Sequence, residues 1–371
     1  MYTTVRESQG AINASADLLE QQRVALGEGD RGAAVGALVP LLVDQVMAEA
    51  GVVEPRVAAK AVDQARGDVS RAVSLLRSWV SCLPRQDTSS AGWRDIEVER
   101  RITPAFSEPD GGQYLGASLD YAPRLLNLDG AEAPRNGTPR DEAARDEPTG
   151  AQPEHHAETL TLPRGAARLE QQDLIAATEP TEPVDLTRRA SAAGAGRGAF
   201  QQFLSRAETG ALTALAYTAV REGPKQADPT LVELRAGQLP VTLTHPRTGN
   251  PVRVGTFPVT TCELVLYHVQ VDSSGEHTDS RFTLGYGATA GRVERRAISA
   301  AMLDARVTRA SANSPGTTTL PSDDDEWLIT ALDGQEATGF VEHLKLAHHV
   351  SFASDLDRVR MVGERTEEGE G

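Results

Sequence analysis

Hydrophobic residues recur at three- to five-residue intervals through the first 82 positions, and this spacing predicts helices. ESQGAINASADLLEQQRVAL follows the spacing, and VGALVPLLVDQVMAEAG ends at Gly51, a residue suited to a helix C-cap. Two more helices are predicted over residues 56–82, with a break at Gly67–Asp68, where the Asp68 carboxylate can cap the second one. The N-terminal region is therefore predicted to be a helical unit.

The pattern after residue 190 mixes both periodicities. GAFQQFLSRAETGALTALAYTAVREG predicts a helix pair interrupted near Gly210, and LPVTL, CELVLYHVQVD and FTLGYGAT predict strands bounded by turn residues. VERRAISAAMLDARV predicts a helix, and the segment from DDDEWLITALDG to AHHVSF predicts an extended run, a turn and a helix. The predicted fold class is α+β, a helical N-terminal unit followed by a mixed α/β C-terminal unit.

The stretch between these units has few large apolar residues. Residues 129–186 carry thirteen acidic and five basic side chains, and such a composition cannot offset the entropy cost of ordering the chain. The predicted division is a helical region 1–92, an ordered loop 93–128 with a Gly-Gly turn, a flexible acidic insertion 129–190, a mixed region 191–360 and a loose tail 361–371.

Composition excludes several functional classes. The net charge of −16 argues against binding bare nucleic acid, because phosphate contacts require clustered Lys and Arg. Cys82 and Cys262 are too far apart in sequence for a CxxC metal site and too few for a disulfide framework, which fits a reducing interior. No signal peptide or 18-residue apolar stretch is present. We therefore expect a cytoplasmic protein without a membrane partner.

Familiar nucleotide-binding and hydrolase motifs such as GxxxxGK[ST], HExxH and GxSxG are absent. The first weaker constellation is VERR…GGQYLG…DYAPRLL, which surrounds a Gly-Gly turn. Its candidate substrate-binding and catalytic residues are Arg100, Arg101, Gly111, Gly112, Gln113, Asp120, Tyr121 and Arg124. Arginine side chains and turn amides can hold an anion, but the same arginines can form ion pairs that tie the loop to the core.

Glu263 lies in the apolar strand segment TTCELVLYH. A buried carboxylate there must be paired or functional, although it can also face solvent, since alternate strand residues do. The following RFTLGYGATAGRVERRAI places Gly285, Gly287 and Gly291 before a helix. Such a glycine loop can bind an anion, with Arg281 among the counter-charges.

Three of the eight histidines lie in VEHLKLAHHVSF. Positions five and six apart on a helix differ by about 140° and about 240°, so His343 shares no helical face with His348 or His349. A metal site therefore requires the helix to end between them, and two histidines leave two zinc positions open. Packing or surface histidines are the alternative.

An ordered set of segments resembles a known family: MYTTVRESQGAI, LVDQVMAEAG, GGQYLG, TALAYT, TTCELV and FVEHLKLAHH. Together they are similar to the PhnI family of phosphonate-metabolism proteins, subunit I of the carbon–phosphorus lyase core complex. The likeness covers both ends and most of the chain outside residues 129–190. Residues 56–82 alone also resemble a ubiquitin-associated module, which would make the chain a ubiquitin-binding adaptor.

The resemblance to the PhnI family implies a role in a bacterial multi-subunit assembly. Its partners are the other core subunits, including the radical lyase subunit and ABC-type ATPase subunits. The implied reaction is nucleosidase-like: an alkylphosphonate displaces adenine from ATP and joins C1 of the ribose, whose triphosphate stays in place. The family's histidine pattern implies a zinc site at the boundary with the radical subunit, carried over to His343 and His348. His349 is an alternative second ligand.

The implied reaction assigns roles to the candidate residues. Breaking a ribosyl C–N bond passes through an oxocarbenium-like state that a carboxylate stabilises, and the departing base needs an acid. Glu263 and Asp120 are the candidate carboxylates, and Tyr121, Tyr286 or His268 are candidates to protonate or orient adenine. Arg100, Arg101, Arg124 and Arg281 are expected to hold the triphosphate, assisted by Mg²⁺ or partner surfaces. Alternatively, the chain is a non-catalytic subunit that organises its partners.

Overall fold

The fold is α+β, as predicted. The structure is a computed structural model that describes residues 6–24, 31–84, 91–121, 126, 162–178, 184–189, 192–222, 228–271, 277–311, 321–346 and 348–368. Its helices within these residues are α1 (Arg6–Val24), α2 (Arg31–Leu38), α3 (Pro40–Ala50), α4 (Pro55–Gln64), α5 (Val69–Ser81), α6 (Ala167–Gln171), α7 (Arg197–Arg206), α8 (Thr209–Glu222), α9 (Glu294–Ser311), α10 (Asp325–Leu332), α11 (Gly334–His343) and α12 (His349–Glu368). The strands are β1 (Glu97–Ile102), β2 (Thr230–Thr244), β3 (Pro251–Val271) and β4 (His277–Ala290).

Helices α2–α5 form the predicted helical unit. Their core combines small alanines with larger side chains such as Met47 and Leu76, which lets the helices pack closely. Both predicted caps are confirmed: Gly51 ends α3 with φ 71°, and the Asp68 carboxylate accepts from the Arg71 backbone N–H at 2.8 Å. Local capping chemistry thus sets the ends of these helices.

The four strands form one antiparallel sheet in the order β1-β2-β3-β4. Helix α9 packs on one face, which we call the helix face, through Ala297, Ala301 and Ala305. Helices α7, α8 and α10 cover the other side of α9. Residues 162–175 cover the opposite face of the sheet, which we call the outer face.

Buried polar contacts join the helical unit to the sheet unit, by which we mean the sheet and helices α7–α10. Glu49 of α3 accepts from the Thr209 backbone N–H at 3.1 Å. Arg296 of α9 donates to the carbonyls of Ala207 at 2.9 Å and Ser205 at 3.0 Å. Burial lowers the pKa of Arg296 to about 10 despite the nearby Glu49.

Strands β2 and β3 extend beyond their neighbours as a two-stranded ribbon, residues 239–244 and 251–258. Among the described residues this ribbon pairs with no third strand, because β1 ends at Gln238 and β4 at Val259 in the register. Apolar pairs such as Leu239–Phe257 share one side of the ribbon, and pairs such as Thr242–Arg253 share the other. The ribbon is therefore amphipathic.

Three segments differ from the sequence predictions. The predicted extended run at Trp327 is helix α10, because Asp324 caps its first turn and Leu328 and Leu332 face the helical core. Residues 361–368, assigned to a loose tail, continue α12. Residues 162–178, assigned to the insertion, are folded against the sheet through buried Leu162 and Ala166. Residues 129–161 lie outside the described residues.

The predicted glycine loop before α9 is also different. Gly285 and Gly287 lie inside β4 and face α9, where a Cβ would overlap the carbonyl oxygens of Ala301 and Ala297. These glycines let the helix approach the sheet closely instead of holding an anion. Only Gly291 lies in the turn, and there the Asp44 carboxylate already accepts the Arg292 backbone N–H at 3.0 Å.

This close approach gives a first prediction. Replacing Gly287 with alanine should lower the free energy of unfolding by about 1–3 kcal/mol, because the added methyl group overpacks a rigid helix–sheet contact. Gly255→Ala in the ribbon is the matched control, since a Cβ there meets nothing within 4 Å. Urea denaturation of both variants measures the difference, and equal stabilities would contradict the packing argument.

No single helix in the described part of the chain is long and apolar enough to cross a membrane. The pair α2–α3 reaches the required length only jointly, across a bend of 101°, and α3 is largely buried in the helical core.

Candidate functional site

Charged and polar side chains cluster on the outer face of the sheet. This outer-face cluster consists of Arg101, Arg164, Glu233, Arg235, Glu263 and Tyr286. Three of its members were predicted as site residues, and the sheet register brings them together: Arg101 lies across from Arg235, and Glu263 across from Tyr286.

Arg101 and Glu233 are the centre of the cluster. The Arg101 guanidinium is buried, pairs with the Glu233 carboxylate and donates to the carbonyls of Asp110 at 2.7 Å, Gly112 at 2.8 Å and Pro163 at 3.0 Å. Burial raises the pKa of Glu233, but the bonds from Arg101 and Gly165 and the charge of Arg235 outweigh it, so this pKa lies below its usual range. Glu233 is therefore held ionised.

Glu263 lies beside this pair and is only 5% exposed. Its carboxylate accepts from Arg164 Nε at 2.5 Å and from the Ala166 backbone N–H at 3.0 Å. Burial nevertheless raises the pKa of Glu263 above its usual value, against the opposing effect of Arg164. Burial, with the nearby Glu263 charge, also raises the pKa of Tyr286 to about 12. The Tyr286 phenol therefore stays protonated at neutral pH.

The raised pKa of Glu263 has a consequence for stability. Ionising this carboxyl costs more free energy in the folded chain than in the unfolded chain. The free energy of unfolding therefore falls as the pH rises from the unfolded pKa of 4.5 through the higher folded pKa. The stability of the wild type relative to Glu263→Gln should therefore be higher at about pH 4, below the unfolded pKa, than at about pH 8. Urea denaturation at both pH values checks this, and a constant difference would contradict the shift.

The backbone of residues 163–166 closes the outer-face cluster. The Pro163 carbonyl accepts from Arg101 and Arg235, while the Gly165 and Ala166 N–H groups donate to Glu233 and Glu263. A small molecule therefore reaches Glu263 only when this segment moves.

Arg100, the neighbour of Arg101, faces the opposite side of β1. Its guanidinium donates to Glu294 of α9 at 2.6 Å, pairs with Asp120 and donates to the Leu115 carbonyl. The Asp120 side chain is 55% exposed. The two candidate carboxylates, Asp120 and Glu263, are thus bonded to arginines on opposite faces of the sheet and do not share one pocket.

The Gly-Gly turn directs its polar groups inward. Gly111 and Gly112 have φ values of 78° and 76°, and the Gly112 N–H donates to the Pro109 carbonyl at 3.0 Å. The Gly112 carbonyl accepts from Arg101, and the Gln113 side chain accepts from the Thr103 N–H at 3.4 Å. These contacts match the alternative in which ion pairs tie the loop to the core.

Other candidates lie apart from the cluster. Arg281 forms a two-bonded ion pair with Asp173, at 2.7 and 2.9 Å, and the sheet register places it roughly 25 Å from Arg101. Tyr121 lies in a 3-10 turn and His268 on β3, but their side chains, like all of Arg124, are outside the described residues. The predicted arginine clamp is therefore not assembled by the residues that the structure describes.

Sequence reasoning missed Glu233, Arg235 and Arg164. The first two carried a detectable signal: charges two apart in the apolar strand TLVELRAGQL must share one face of the sheet, which calls for a partner. Arg164 gave no such signal, because it lies in a stretch with the composition of an insertion.

The histidine cluster forms a turn between two helices. Helix α11 ends at His343 and α12 begins at His349, as a metal site would require. The ring centroids of His343 and His348 lie 5.2 Å apart, and the angle between the ring planes is 78°. His348 Nδ1 lies 2.7 Å from the Leu346 carbonyl oxygen, and a proton on Nδ1 would leave Nε2 as the metal-binding nitrogen.

These residues fit half of a zinc site. Within the described ranges, no group of three or more His, Cys, Asp or Glu side chains is arranged to hold a metal ion. Zinc usually takes four ligands, so the histidine turn needs donors from elsewhere. Large apolar side chains surround it and are exposed, namely Phe340, Leu344, Leu346, Val350 and Phe352. An exposed apolar surface of this kind is typical of a protein interface.

Comparisons with known proteins cover nearly the whole chain. A family model described as bacterial phosphonate metabolism protein (PhnI) matches residues 1–366. The putative C-P lyase subunit protein HtxH of Stutzerimonas stutzeri is 34% identical over 98% of this chain and 96% of its own length.

Two further relatives carry a more specific name. The alpha-D-ribose 1-methylphosphonate 5-triphosphate synthase subunit PhnI of Escherichia coli (strain K12) is 32% identical over 100% of both chains. The protein of the same name from Rhizobium meliloti (strain 1021) is 34% identical over 98% of this chain and 95% of its own length.

Proposed function

This chain belongs to the PhnI family of bacterial phosphonate metabolism proteins, and from this premise we propose that it is a synthase subunit of a carbon–phosphorus lyase complex. The observation that carries the proposal is the alignment with the Escherichia coli synthase subunit over 100% of both chains. The proposed reaction joins an alkylphosphonate oxygen to C1 of the ribose of ATP, and the C1–N bond breaks with its electron pair leaving on adenine. The product keeps the 5-triphosphate.

Accessibility favours Asp120 over Glu263 as the carboxylate that stabilises the oxocarbenium-like state. Its side chain is 55% exposed, and Arg100 holds it in place, whereas Glu263 is closed off by residues 163–166. A negative carboxylate beside C1 stabilises the positive charge that develops as the base departs. We assign Glu263 a structural role, because it holds residues 163–166 on the sheet through Arg164 and the Ala166 N–H, with the protonated Tyr286 opposite it on β4.

The triphosphate requires positive charge from other groups. Arg100, Arg101 and Arg281 each pair with a carboxylate of this chain. Mg²⁺ and basic surfaces of partner subunits are the proposed counter-charges for about four negative charges. The other core subunits, including the radical lyase subunit and the ABC-type ATPase subunits, are the proposed partners.

A zinc ion held by His343 and His348 is the proposed cofactor, with the remaining donors supplied by the radical subunit. The ring contact and the His348–Leu346 bond support this pair over one with His349. When bound, zinc supplies Lewis acidity or a structural link between subunits. The rings of the two histidines lie next to each other in the turn between the helices.

Adenine release tests the assignment of the carboxylates. The co-purified complex is supplied with ATP and methylphosphonate, and adenine is quantified for the wild type, Asp120→Asn and Glu263→Gln. We expect Asp120→Asn to lower the rate by about 100-fold or more, as removal of a charge-stabilising group does, and Glu263→Gln to retain most activity. If both variants keep the wild-type rate, the catalytic groups belong to another subunit and this chain organises its partners.

A further inference from the structure

A cavity of about 430 Å³ lies between the helical unit and the start of α9. Small residues of α2 and α4, including Gly32, Gly36 and Ala59, leave the space open. No candidate residue of the outer-face cluster or the histidine turn lines it, so the cavity is separate from both sites.

Two cations of α4, Arg56 and Lys60, line the cavity one helical turn apart. Like charges at this spacing destabilise a helix. Neither side chain forms an ion pair with any residue in the described ranges, although Asp63 in the same helix pairs with Arg31. An anion in the cavity would relieve this repulsion.

A third cation faces the cavity from the sheet unit. Arg292 donates through its backbone N–H and its Nε to Asp44, at 3.0 and 2.9 Å, and its side chain remains 52% exposed. Asp44 is the single carboxylate among the lining residues, and the remaining lining residues are uncharged. The lining therefore carries three positive charges and one negative charge in a chain whose net charge is −16.

We propose that this cavity binds the phosphate groups of a small polyphosphate-bearing molecule. A single carboxylate ligand neutralises one cation, whereas a chain of phosphates presents oxygens to Arg56 and Lys60 at the same time and reaches the part of Arg292 that its ion pair with Asp44 leaves exposed. Arginine forks and ammonium groups both form charge-assisted hydrogen bonds with phosphate oxygens. The inference goes beyond the proposed synthase reaction, because binding requires neither a phosphonate nor a partner subunit.

Isothermal titration of the full chain with inorganic tripolyphosphate tests the proposal. We expect saturable binding to the wild type, weakened by about tenfold or more in the double variant Arg56→Gln/Lys60→Gln, which loses two charged donors. Arg247→Gln is the matched control, because it removes an exposed cation of the β2–β3 turn that does not line the cavity. Circular dichroism and thermal unfolding without ligand verify that each variant is folded.

A parallel titration with ATP distinguishes a nucleotide from an inorganic polyphosphate as the ligand of the cavity. Tighter binding of ATP than of tripolyphosphate identifies the ligand as a nucleotide, and equal or weaker binding identifies it as an inorganic polyphosphate. The proposal is overturned if the wild type shows no saturable binding, if the double variant binds as tightly as the wild type, or if sulfate at matched ionic strength gives the same heat.

Discussion

Replacing Arg101 with methionine is expected to lower the free energy of unfolding by about 3–5 kcal/mol. The variant would leave the buried Glu233 carboxylate without its main partner, and the carbonyls of Asp110, Gly112 and Pro163 would each lose a donor. A buried charge and several buried acceptors without partners cost far more than the lost packing. Because Arg101 links β1 to the Gly-Gly turn and to residues 163–166, all three should loosen together.

Urea denaturation followed by circular dichroism measures the effect. Arg253→Met is the matched control, because Arg253 of β3 also pairs with a glutamate of the same sheet, Glu97 of β1, but at the surface. Exposed pairs of this kind contribute little, so the control should unfold like the wild type. A loss of less than about 1 kcal/mol for Arg101→Met, the range of surface pairs, would show that the outer-face cluster is not a stabilising centre.

Replacing both His343 and His348 with alanine is expected to abolish zinc binding by the co-purified complex. With both protein ligands gone, zinc content should fall from about one ion per chain to near zero, since two remaining donors do not hold zinc. Metal analysis by mass spectrometry gives the result independently of activity. Size-exclusion chromatography of the same sample reports whether the radical subunit also dissociates.

The single variant His349→Ala distinguishes the ligands. Because the ring contact joins His343 to His348, zinc content should be unchanged in His349→Ala and should fall sharply in His348→Ala. The opposite pattern would make His349 the second ligand. Full zinc content in the double variant would show that the histidine turn does not bind the zinc.

Elements with local signals were predictable from the sequence. The caps at Gly51 and Asp68 act within a few residues of their helices, so the sequence alone indicates where these helices end. Parts of β2, β3 and β4 were likewise recognisable from their β-branched and aromatic residues, whereas β1 lies in the predicted loop region 93–128. By contrast, Trp327, Ile329 and Thr330 favour a strand by composition, and packing of the Leu328 side of α10 into the helical core overrides that preference.

The candidate site was less predictable because its contacts span long sequence separations. Arg101 and Glu233 are 132 positions apart, and Arg164 and Glu263 are 99 apart, so one sequence gives no sign that they pair. For the same reason, the sequence did not show that the arginines expected to hold a triphosphate pair with carboxylates of the chain itself. The histidine turn was within reach, because a metal site that uses His343 and His348 requires the helix to end between them.

Within the residues that the structure describes, the β2–β3 ribbon has two unpaired backbone edges, one along residues 239–244 and the other along 251–258. Exposed edges can recruit additional strands from other chains, and a two-stranded ribbon alone is marginally stable in water. The absence of acidic residues between Gln238 and Pro258 also removes the charge repulsion that protects the rest of this acidic chain from self-association. Expression without companion subunits should therefore give material whose aggregation begins at this ribbon.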